Sequence, residues 1–450
     1  MKEPTRPKQL NELLLRHPKG LAGILQAGIT ATPKGQYLHW DRLRHLTPPP
    51  GLNHEEWWLG VKLARSQLYR ELPLKDMAGR PFRYAAPDVV HELLHKIDRR
   101  AGVRIELPEQ ILSPETRDRY IFNSLVEESI TSSQLEGAAP TRQVAADMIR
   151  YGRRPTNTSE QMIFNNYEAM QEIRKLRDRS LTPPMVLHLH KILAQDTLDD
   201  PGAAGRLQET TEKRVQVVDN LSHRVLHVPP PANQLRGRLV QMCEFANDLD
   251  NAKGFVHPII RAIVLHFWLA YDHPFVDGNG RAARGLFYWS MLSQGYWLFE
   301  FVSISRILRE APAQYGRSYL YTESDDNDLT YFILYQLEVI LRAIEELDDY
   351  LKRKAEQTQV VLNLLKNVGW LNYRQIALLS HAIRHPNKEY SIRSHQVSHN
   401  VAYATARADL FGLAKRQLLI AKQLGGKAYT FISPRDLERR LRALRRRKAR

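Results

Sequence analysis

The segment His273–Arg284 constrains this chain more than any other stretch, because it interrupts two helical patterns with a glycine-rich turn. It reads HPFVDGNGRAAR. Before it, Pro258 opens an apolar run with helical spacing, which ends where His273 precedes a proline and is pushed out of the helical region. After it, a second helical pattern runs to Ser293 and stops at Gly295. The sequence therefore predicts a loop that leads from one buried helix into another.

The residues of this loop suit the binding of a metal-bound polyphosphate. Gly278-Asn279-Gly280 allows the backbone to approach a phosphate closely, and the amides that open the following helix attract anions. Asp277 offers the hard oxygen that Mg²⁺ binds together with phosphate oxygens. Arg281 and Arg284 are one helical turn apart, and guanidinium groups match phosphate geometry. His273 can accept a hydroxyl proton near neutral pH.

Each of these residues also has an ordinary structural interpretation. A histidine before proline is usually a packed loop residue, and Asp-Gly-Asn-Gly is usually a tight turn. Two arginines three positions apart usually form a solvated helix face. Their occurrence together, in one loop that precedes a helix, favours the functional interpretation.

The complete pattern resembles the signature H-x-F-x-D/E-G-N-G-R-x-x-R of Fic-domain proteins, and every fixed position is present. The resemblance implies a mainly α fold: a helical Fic core with a small β-hairpin flap. It also implies an enzyme that uses Mg²⁺ and ATP to transfer AMP to Ser, Thr or Tyr hydroxyls of target proteins and of itself.

The same resemblance implies a role for each residue of the loop. His273 is expected to be the general base, Asn279 to stabilise charge in the transition state, and Asp277 to bind Mg²⁺. Arg284 is expected to clamp the γ-phosphate of ATP. The full set expected to build the nucleotide site is Phe275, Gly278, Asn279, Gly280, Arg281 and Arg284.

A second motif lies upstream, at Ser132–Gly137, and reads SSQLEG. Ser132 and Glu136 are four residues apart, so they share one face of a helix predicted over about 120–137. The motif resembles the inhibitory S/T-x-x-x-E-G/N motif of Fic proteins. The resemblance implies that Glu136 pairs with Arg284 and inhibits the enzyme in cis.

A third element is a predicted hairpin between these motifs. Two short β-rich runs, Arg214–Val218 and Arg224–Val228, are joined by a five-residue loop, Asp219–His223. The resemblance implies that this hairpin is the flap that aligns a target segment by strand pairing, and the alternative is a purely structural hairpin. The residues expected to pair with the target are Val215, Gln216, Val217 and Val218.

The rest of the chain divides into modules by its patterns. We expect an N-terminal helical region over 1–110, the Fic core over 111–340, a helical connector over 341–358, and a winged helix-turn-helix domain over 359–433. A long helix is predicted from about Asp328 to Lys354, and in the last domain the patterns predict helices at Val360–Leu365, Tyr373–Ile383 and Ser398–Gln417 and a hairpin over Leu418–Ile432. The basic tail, 434–450, keeps helical spacing of its leucines.

Composition limits the environment and the partners. The single Cys243 excludes a disulfide framework, and no apolar segment follows the first residues, so we expect a cytoplasmic protein without a membrane partner. The net charge is +16, and from Arg435 onward the chain holds nine Lys and Arg residues against two acidic ones. Such charge suits DNA, although many winged modules serve only protein contacts.

The sequence leaves several functions open. The leading one is AMP transfer to a target protein that carries a hydroxyl side chain. The alternatives are a DNA-binding regulator whose Fic core senses nucleotides, and a bifunctional enzyme that also removes AMP with Glu136 activating water. The intact His273 favours catalysis over sensing, since sensing needs no base. The sequence does not specify the identity of the target. It also leaves the oligomeric state open, with a homodimer among the alternatives.

Overall fold

The computed structural model describes residues 3–18, 20–101, 114–151, 153–219, 223–248, 254–366, 370–399, 401–425 and 428–446. The chain divides into two compact units, Met1–Leu347 and Asp348–Arg450. The first unit is mainly helical, as predicted. Its helices are α1 Leu10–Arg16, α2 Leu21–Gln26, α3 Trp40–Leu43, α4 His54–Ser66, α5 Asp88–Ala101, α6 Pro114–Leu135, α7 Arg142–Tyr151, α8 Thr158–Leu176, α9 Pro183–Ala194, α10 Ala232–Asn247, α11 Pro258–Asp272, α12 Asn279–Ser293, α13 Ile304–Glu310, α14 Pro312–Ser324 and the first half of α15, Thr330–Lys366.

The core of the first unit is built around α11 and α12. Almost every side chain of both helices is buried, which is why neither shows a polar face in the sequence. They pack against each other, and α12 also packs against α6, α8 and α9. The two helices therefore hold the ends of the loop between them in a rigid setting.

Helix α6, which carries the predicted inhibitory motif, is anchored to this core by a buried carboxylate. Glu128 is 2% exposed and accepts hydrogen bonds from the hydroxyls of Tyr288 and Ser303, both at 2.8 Å. It also accepts the backbone N–H of Ser305 at 3.1 Å, at the start of α13. A buried carboxylate is tolerated only when it is hydrogen-bonded in this way. The anchor fixes α6 two helical turns before Glu136.

The N-terminal region is joined to the core by a buried ionic network. Lys62 of α4 lies 2.6 Å from Asp325 and 2.8 Å from Asp326, in the connection between α14 and α15. Arg65 donates to the Tyr331 hydroxyl at 2.7 Å and lies over the ring of Tyr37 at 3.6 Å. Such paired charges are stable inside a protein only as a complete set.

Asp325→Asn is expected to destabilise this unit by about 3–5 kcal/mol, because it leaves the buried Lys62 ammonium with one partly exposed partner. Burial raises the pKa of Asp325, but Lys62, His39 and Arg65 outweigh it and hold the pKa at about 2. The Asp325 carboxylate therefore contributes fully to stability above pH 3.8, which is the ordinary pKa of an aspartate. This contribution is lost as the pH falls toward 2. Thermal unfolding measures the loss, and Asp326→Asn, at a partly exposed position, should cost less.

The first unit also contains two antiparallel hairpins. Strands β1, Tyr69–Lys75, and β2, Pro81–Ala85, form one that the sequence analysis did not predict, so the N-terminal region is not purely helical. Strands β3, Val217–Val218, and β4, Val225–His227, form the predicted hairpin, although its strands are shorter than the sequence indicated. Residues 220–222 of its loop lie outside the described residues. We call residues 214–228 the flap.

The second unit begins within a single long helix, α15. The sequence indicated an end near Lys354 and a new helix at Val360–Leu365, but α15 runs without a break to Lys366. The unit itself combines a few helices with a three-stranded sheet of order β5-β7-β6. Its elements are α16 Tyr373–Arg384, β5 Glu389–Ser391, α17 Ile392–His399, α18 Tyr403–Lys415, β6 Ile420–Gly425, β7 Ala428–Ile432 and α19 Leu437–Arg446.

This second unit has its own core and a buried polar centre. Asp409 of α18 accepts from Arg374 at 2.7 Å, from Asn372 at 2.7 Å and from His395 at 3.2 Å, which ties α16, α17 and α18 together. The basic tail is not free, because Leu437 and Leu441 of α19 are buried in this core. Residues 447–450 of the tail lie outside the described residues.

None of the helices in the described ranges combines the length and the apolar character that crossing a membrane requires.

Candidate active site

The loop between α11 and α12 is bracketed by two residues in the left-handed conformation. His273 has φ 47° and caps α11, with its N–H bonded to the Leu269 carbonyl at 2.9 Å. Gly278 has φ 79° and caps the start of α12. A glycine adopts this conformation freely, whereas a histidine adopts it at a cost. Strain of that kind, held by rigid neighbours, is typical of functional residues.

The inside of the loop is closed by Phe275 and Asn279. Phe275 is fully buried and anchors the loop in the core. The Asn279 side chain accepts the Phe275 N–H at 2.9 Å and donates to the Phe275 carbonyl at 2.9 Å. Its amide group is therefore already engaged within the loop. Its structural role is to brace the turn, and the stabilisation of transition-state charge stays a prediction.

A buried histidine that the sequence analysis missed holds the loop from outside. His190 of α9 stacks on the Phe275 ring with centroids 3.7 Å apart. Its Nδ1 accepts the N–H of Gly205 at 3.0 Å, so Nε2 carries the hydrogen and donates to the Asp277 carbonyl at 2.9 Å. Burial lowers the pKa of His190 to about 4, which keeps this donor-acceptor pattern at neutral pH.

His273 has one ring nitrogen available for chemistry. Its Nδ1 lies 3.2 Å from the Ala270 carbonyl, which can only accept, so Nδ1 carries the hydrogen. The lone pair is then on Nε2. Burial lowers the pKa of His273 to about 4, so the imidazole is neutral at physiological pH. A neutral imidazole with its lone pair on Nε2 can accept a proton, and the role of His273 as general base stays a prediction.

Asp277 and Arg281 lie at the start of α12 and contact each other. The Asp277 carboxylate is 52% exposed and lies 3.2 Å from Arg281 Nη2. Arg281 is buried, and its Nη1 donates to the Leu193 carbonyl at 2.9 Å. Burial lowers the pKa of its guanidinium. Asp277 thus presents a carboxylate to solvent at the predicted metal position, while Arg281 orients it from behind.

The donors near Asp277 fit a magnesium ion that is delivered with a nucleotide. Within the described ranges, no group of three or more His, Cys, Asp and Glu side chains could hold a metal ion by itself. Mg²⁺ commonly binds through one or two carboxylates while phosphate oxygens and waters complete its shell. A single accessible carboxylate beside an anion-attracting helix start meets that requirement.

Arg284 is held by the predicted inhibitory motif. Its Nε donates to the Ser132 hydroxyl at 2.8 Å, and its Nη2 donates to the Ser132 carbonyl at 2.9 Å. Nη2 also lies 2.8 Å from Glu136 Oε1. Arg284 is 1% exposed. The structure therefore brings together both ends of the pair that the two motifs indicated.

The Glu136 carboxylate also lies against the first turn of α12. A methyl group added at Gly280 would collide with it, since the Glu136 Cδ would be 2.8 Å away. The start of a helix carries partial positive charge and unpaired amides, and it attracts anions. Glu136 thus lies where an anionic ligand of α12 would bind.

The flap lies against the end of α11. Its strands pair Val217 with His227 and Val218 with Val225. Val218 and Val225 are 43% and 44% exposed, and Gln216 is exposed as well. Val215 is half-buried, and its N–H donates to Gln208 at 3.3 Å. Of the predicted target-pairing residues, Gln216 and Val218 are therefore exposed, whereas Val215 and Val217 are half-buried.

These features define a class of mainly helical protein in which a tight loop joins two buried core helices beside a short hairpin. Residues 180–291, which include α9, the flap and the whole loop, match the model of the Fic/DOC family. This part of the chain is therefore similar to the Fic/DOC family. The fold is shared with a Fic family protein from Desulfovibrio desulfuricans G20, with a TM-score of 0.52 and 19% identity over 78% of this chain and 97% of that one.

Curated relatives are similar to part of this chain as well. The chain is 25% identical over 213 residues to a protein adenylyltransferase Fic of Nematostella vectensis, a match that covers 46% of this chain and 45% of the relative. It is 37% identical over 71 residues to a protein adenylyltransferase Fic of Aedes aegypti, which covers 16% and 14% of the two chains. The matches thus span less than half the length of either relative.

Proposed function

We propose that this protein is a protein adenylyltransferase that transfers AMP from ATP to a hydroxyl group. The observation that carries the proposal is the loop itself. One turn presents a neutral histidine with Nε2 available, an exposed carboxylate and the start of a buried helix. Relatives that bear the name of this activity support it.

The reaction follows from these groups. A target hydroxyl attacks the α-phosphorus of ATP, a new O–P bond forms, and the bond to the β-phosphate breaks so that pyrophosphate leaves. His273 Nε2 takes the hydroxyl proton. The amides that open α12 face the negative charge that develops on the phosphates. Mg²⁺, held by Asp277, would supply further positive charge to the phosphates.

We also propose that Glu136 inhibits the enzyme in cis. Arg284 would clamp the γ-phosphate, and its guanidinium is engaged by Ser132 and Glu136. The carboxylate additionally lies over the start of α12, beside Gly280. ATP that binds against this arrangement would lack its γ-phosphate clamp and would adopt a pose unsuited to attack.

Two radiolabelled forms of ATP test the reaction. Incubation of the Glu136→Gly variant with Mg²⁺ and ATP labelled at the α-phosphate should label the protein, and ATP labelled at the γ-phosphate should not. Intact mass should show the addition of AMP. Label from the γ-phosphate would indicate phosphorylation and would contradict the proposal.

A second activity, DNA binding, is proposed for the second unit. The order of helix, strand, two helices and hairpin is also that of winged helix-turn-helix modules, in which α18 would be the recognition helix. Tyr403, Ala404, Arg407 and Ala408 form an exposed face on the first half of α18. An exposed helix face that carries an arginine suits contacts in the major groove of DNA.

Arg407→Glu is expected to weaken binding to duplex DNA and to flatten its dependence on salt. Loss of one phosphate contact lowers the slope of log affinity against log salt by about 1. Fluorescence anisotropy with a mixed-sequence duplex at several salt concentrations measures both. Deletion of the tail is a poor test, since Leu437 and Leu441 belong to the core of this unit.

Lys175→Glu is the matched control for that experiment. It makes the same change in net charge at an exposed position on α8, in the first unit. If both variants weaken binding equally, the attraction comes from overall charge. If neither changes it, α18 does not contact DNA.

A further inference from the structure

Three consecutive carbonyl groups at the end of α11 receive hydrogen bonds from the flap. The Tyr271 carbonyl accepts from His227 Nε2 at 2.7 Å. The Asp272 carbonyl accepts from Arg214 Nη2, and the His273 carbonyl accepts from Arg214 Nη1 at 2.9 Å. Arg214 precedes the first strand of the flap, and His227 ends the second. Both sides of the hairpin therefore bond to the residues that lead into the candidate base.

The chemistry of a helix end explains why these donors are cationic. The last carbonyls of a helix have no partner within it, and together they carry partial negative charge. A guanidinium and an imidazolium satisfy those carbonyls and complement that charge. In α11 they come from the flap and not from the helix itself.

Each of the two cations is held in place by a further contact. Arg214 Nε donates to the Pro230 carbonyl at 2.8 Å, so Arg214 also bridges the base of the flap. His227 is 9% exposed, and its Nδ1 lies 2.8 Å from the Glu323 carboxylate of α14. Because both ring nitrogens of His227 face acceptors, both carry hydrogens and the ring is protonated.

We propose that Arg214 and His227 are positioning residues, which lock the flap to the end of α11 and so hold a target hydroxyl in line with His273. The inference deepens the proposed function and rests on it. A target segment that pairs with the flap is then placed by the same contacts that place the base. Errors of about 1 Å in such placement can cost about a hundredfold in rate.

The electrostatics of His227 give this arrangement a pH dependence. Burial lowers the pKa of His227, but the hydrogen bond and charge of Glu323 outweigh it, and the net effect raises the pKa above 6.5. The other charged or titratable groups around the ring are Tyr271, whose ring centroid is 4.6 Å away, Asp272, Arg238, which pairs with Asp272 at 2.6 Å, and His273. The contacts of protonated His227 are therefore complete below pH 6.5, and they are lost as the pH rises through the raised pKa of His227.

The test uses the full chain with Glu136→Gly as the parent, and it compares His227→Gln and Arg214→Gln in that parent. We expect self-modification by AMP to fall about ten- to a hundredfold. Affinity for a fluorescent ATP analogue should stay within about a factor of two, since neither residue belongs to the proposed nucleotide site. The rate of AMP transfer by the parent should fall as the pH rises above 6.5, and this fall should be absent in His227→Gln.

Hydrogen exchange supplies a readout that does not depend on activity. In both variants the amides of Val217–Val218 and Val225–His227 should exchange faster, while those of α12 should not change. His188→Gln, an exposed histidine on α9, is the control and should match the parent. Unchanged exchange in the flap, or nucleotide affinity that falls in step with the rate, would overturn the inference. If the two variants show faster flap exchange but the Glu136→Gly parent itself transfers no AMP, the proposed function is contradicted instead.

Discussion

His273→Ala is expected to reduce AMP transfer about a hundred- to ten-thousandfold while nucleotide affinity changes little. General base catalysis contributes rate factors of about that size. His273 Nε2 acts on the target hydroxyl, and its Nδ1 is bonded to the Ala270 carbonyl near the end of α11. Its loss therefore removes the proton acceptor and leaves the start of α12 intact. Rates of self-modification measured in the Glu136→Gly parent, with binding of a fluorescent ATP analogue, give both quantities.

The left-handed backbone of His273 calls for a second variant. Alanine is disfavoured at φ 47°, whereas asparagine tolerates that conformation. His273→Asn should thus keep the loop and still lose the base. His188→Ala, on an exposed part of α9, controls for loss of a histidine. If both His273 variants retain activity, His273 has no part in the mechanism. If both lose ATP binding, the role of His273 is to maintain the structure of the loop.

Glu136→Gly is expected to raise AMP transfer about ten- to a hundredfold at saturating ATP. A charge-assisted hydrogen bond such as the one between Glu136 and Arg284 contributes about 1.5–3 kcal/mol, which corresponds to that factor. Glu136 follows the last residue of α6, so glycine there breaks no helical turn. The released Arg284 would then be available to the γ-phosphate. The measurement is the initial rate of self-modification, alongside the melting temperature.

Three further variants separate the pair from its surroundings. Glu136→Gln removes the charge and keeps the shape, so it should release part of the inhibition. Gln134→Gly adds backbone freedom at the same helix end but keeps Glu136, and it should behave like the wild type. Arg284→Ala should be inactive with or without Glu136→Gly, since the clamp is then missing. A Glu136→Gly protein no faster than the wild type, with the same melting temperature, would show that Glu136 does not inhibit.

The parts of this structure that could be predicted from sequence are those in which local pattern and function coincide. The apolar run of α11, the break at His273 and the glycine turn predict two helices and a loop without any knowledge of packing. The pairing of Glu136 with Arg284 is found as the two motifs indicated. The mainly helical Fic-like fold is confirmed.

The parts that were missed depend on contacts between distant residues. His190 sits on an apolar helix and looks like a core residue, and its partners at Gly205 and Asp277 appear only in the fold. Arg214 looks like the exposed start of a strand, but its side chain is bonded to the end of α11. The Asn279 side chain is bonded to Phe275 across the turn, a contact that the sequence did not indicate, and its predicted role toward transition-state charge stays a prediction.

The prediction of secondary structure was wrong where local propensity and packing disagree. The hairpin β1-β2 contains Pro73 and charged residues, so its alternation is weak, yet Leu72, Leu74, Phe82 and Tyr84 are buried in the core. The length of α15 was underestimated because its charged middle suggested an end, although neither glycine nor proline interrupts the pattern there.

Glu136 and Arg284 are 148 residues apart but lie in one polypeptide, so their encounter is intramolecular. The local concentration of the carboxylate around the guanidinium is set by the anchoring of α6 through Glu128 and not by the amount of protein present. Dilution cannot separate the pair, and an excess of a second chain cannot strengthen it. Release therefore requires a competitor for Arg284 or a binding event that loosens α6.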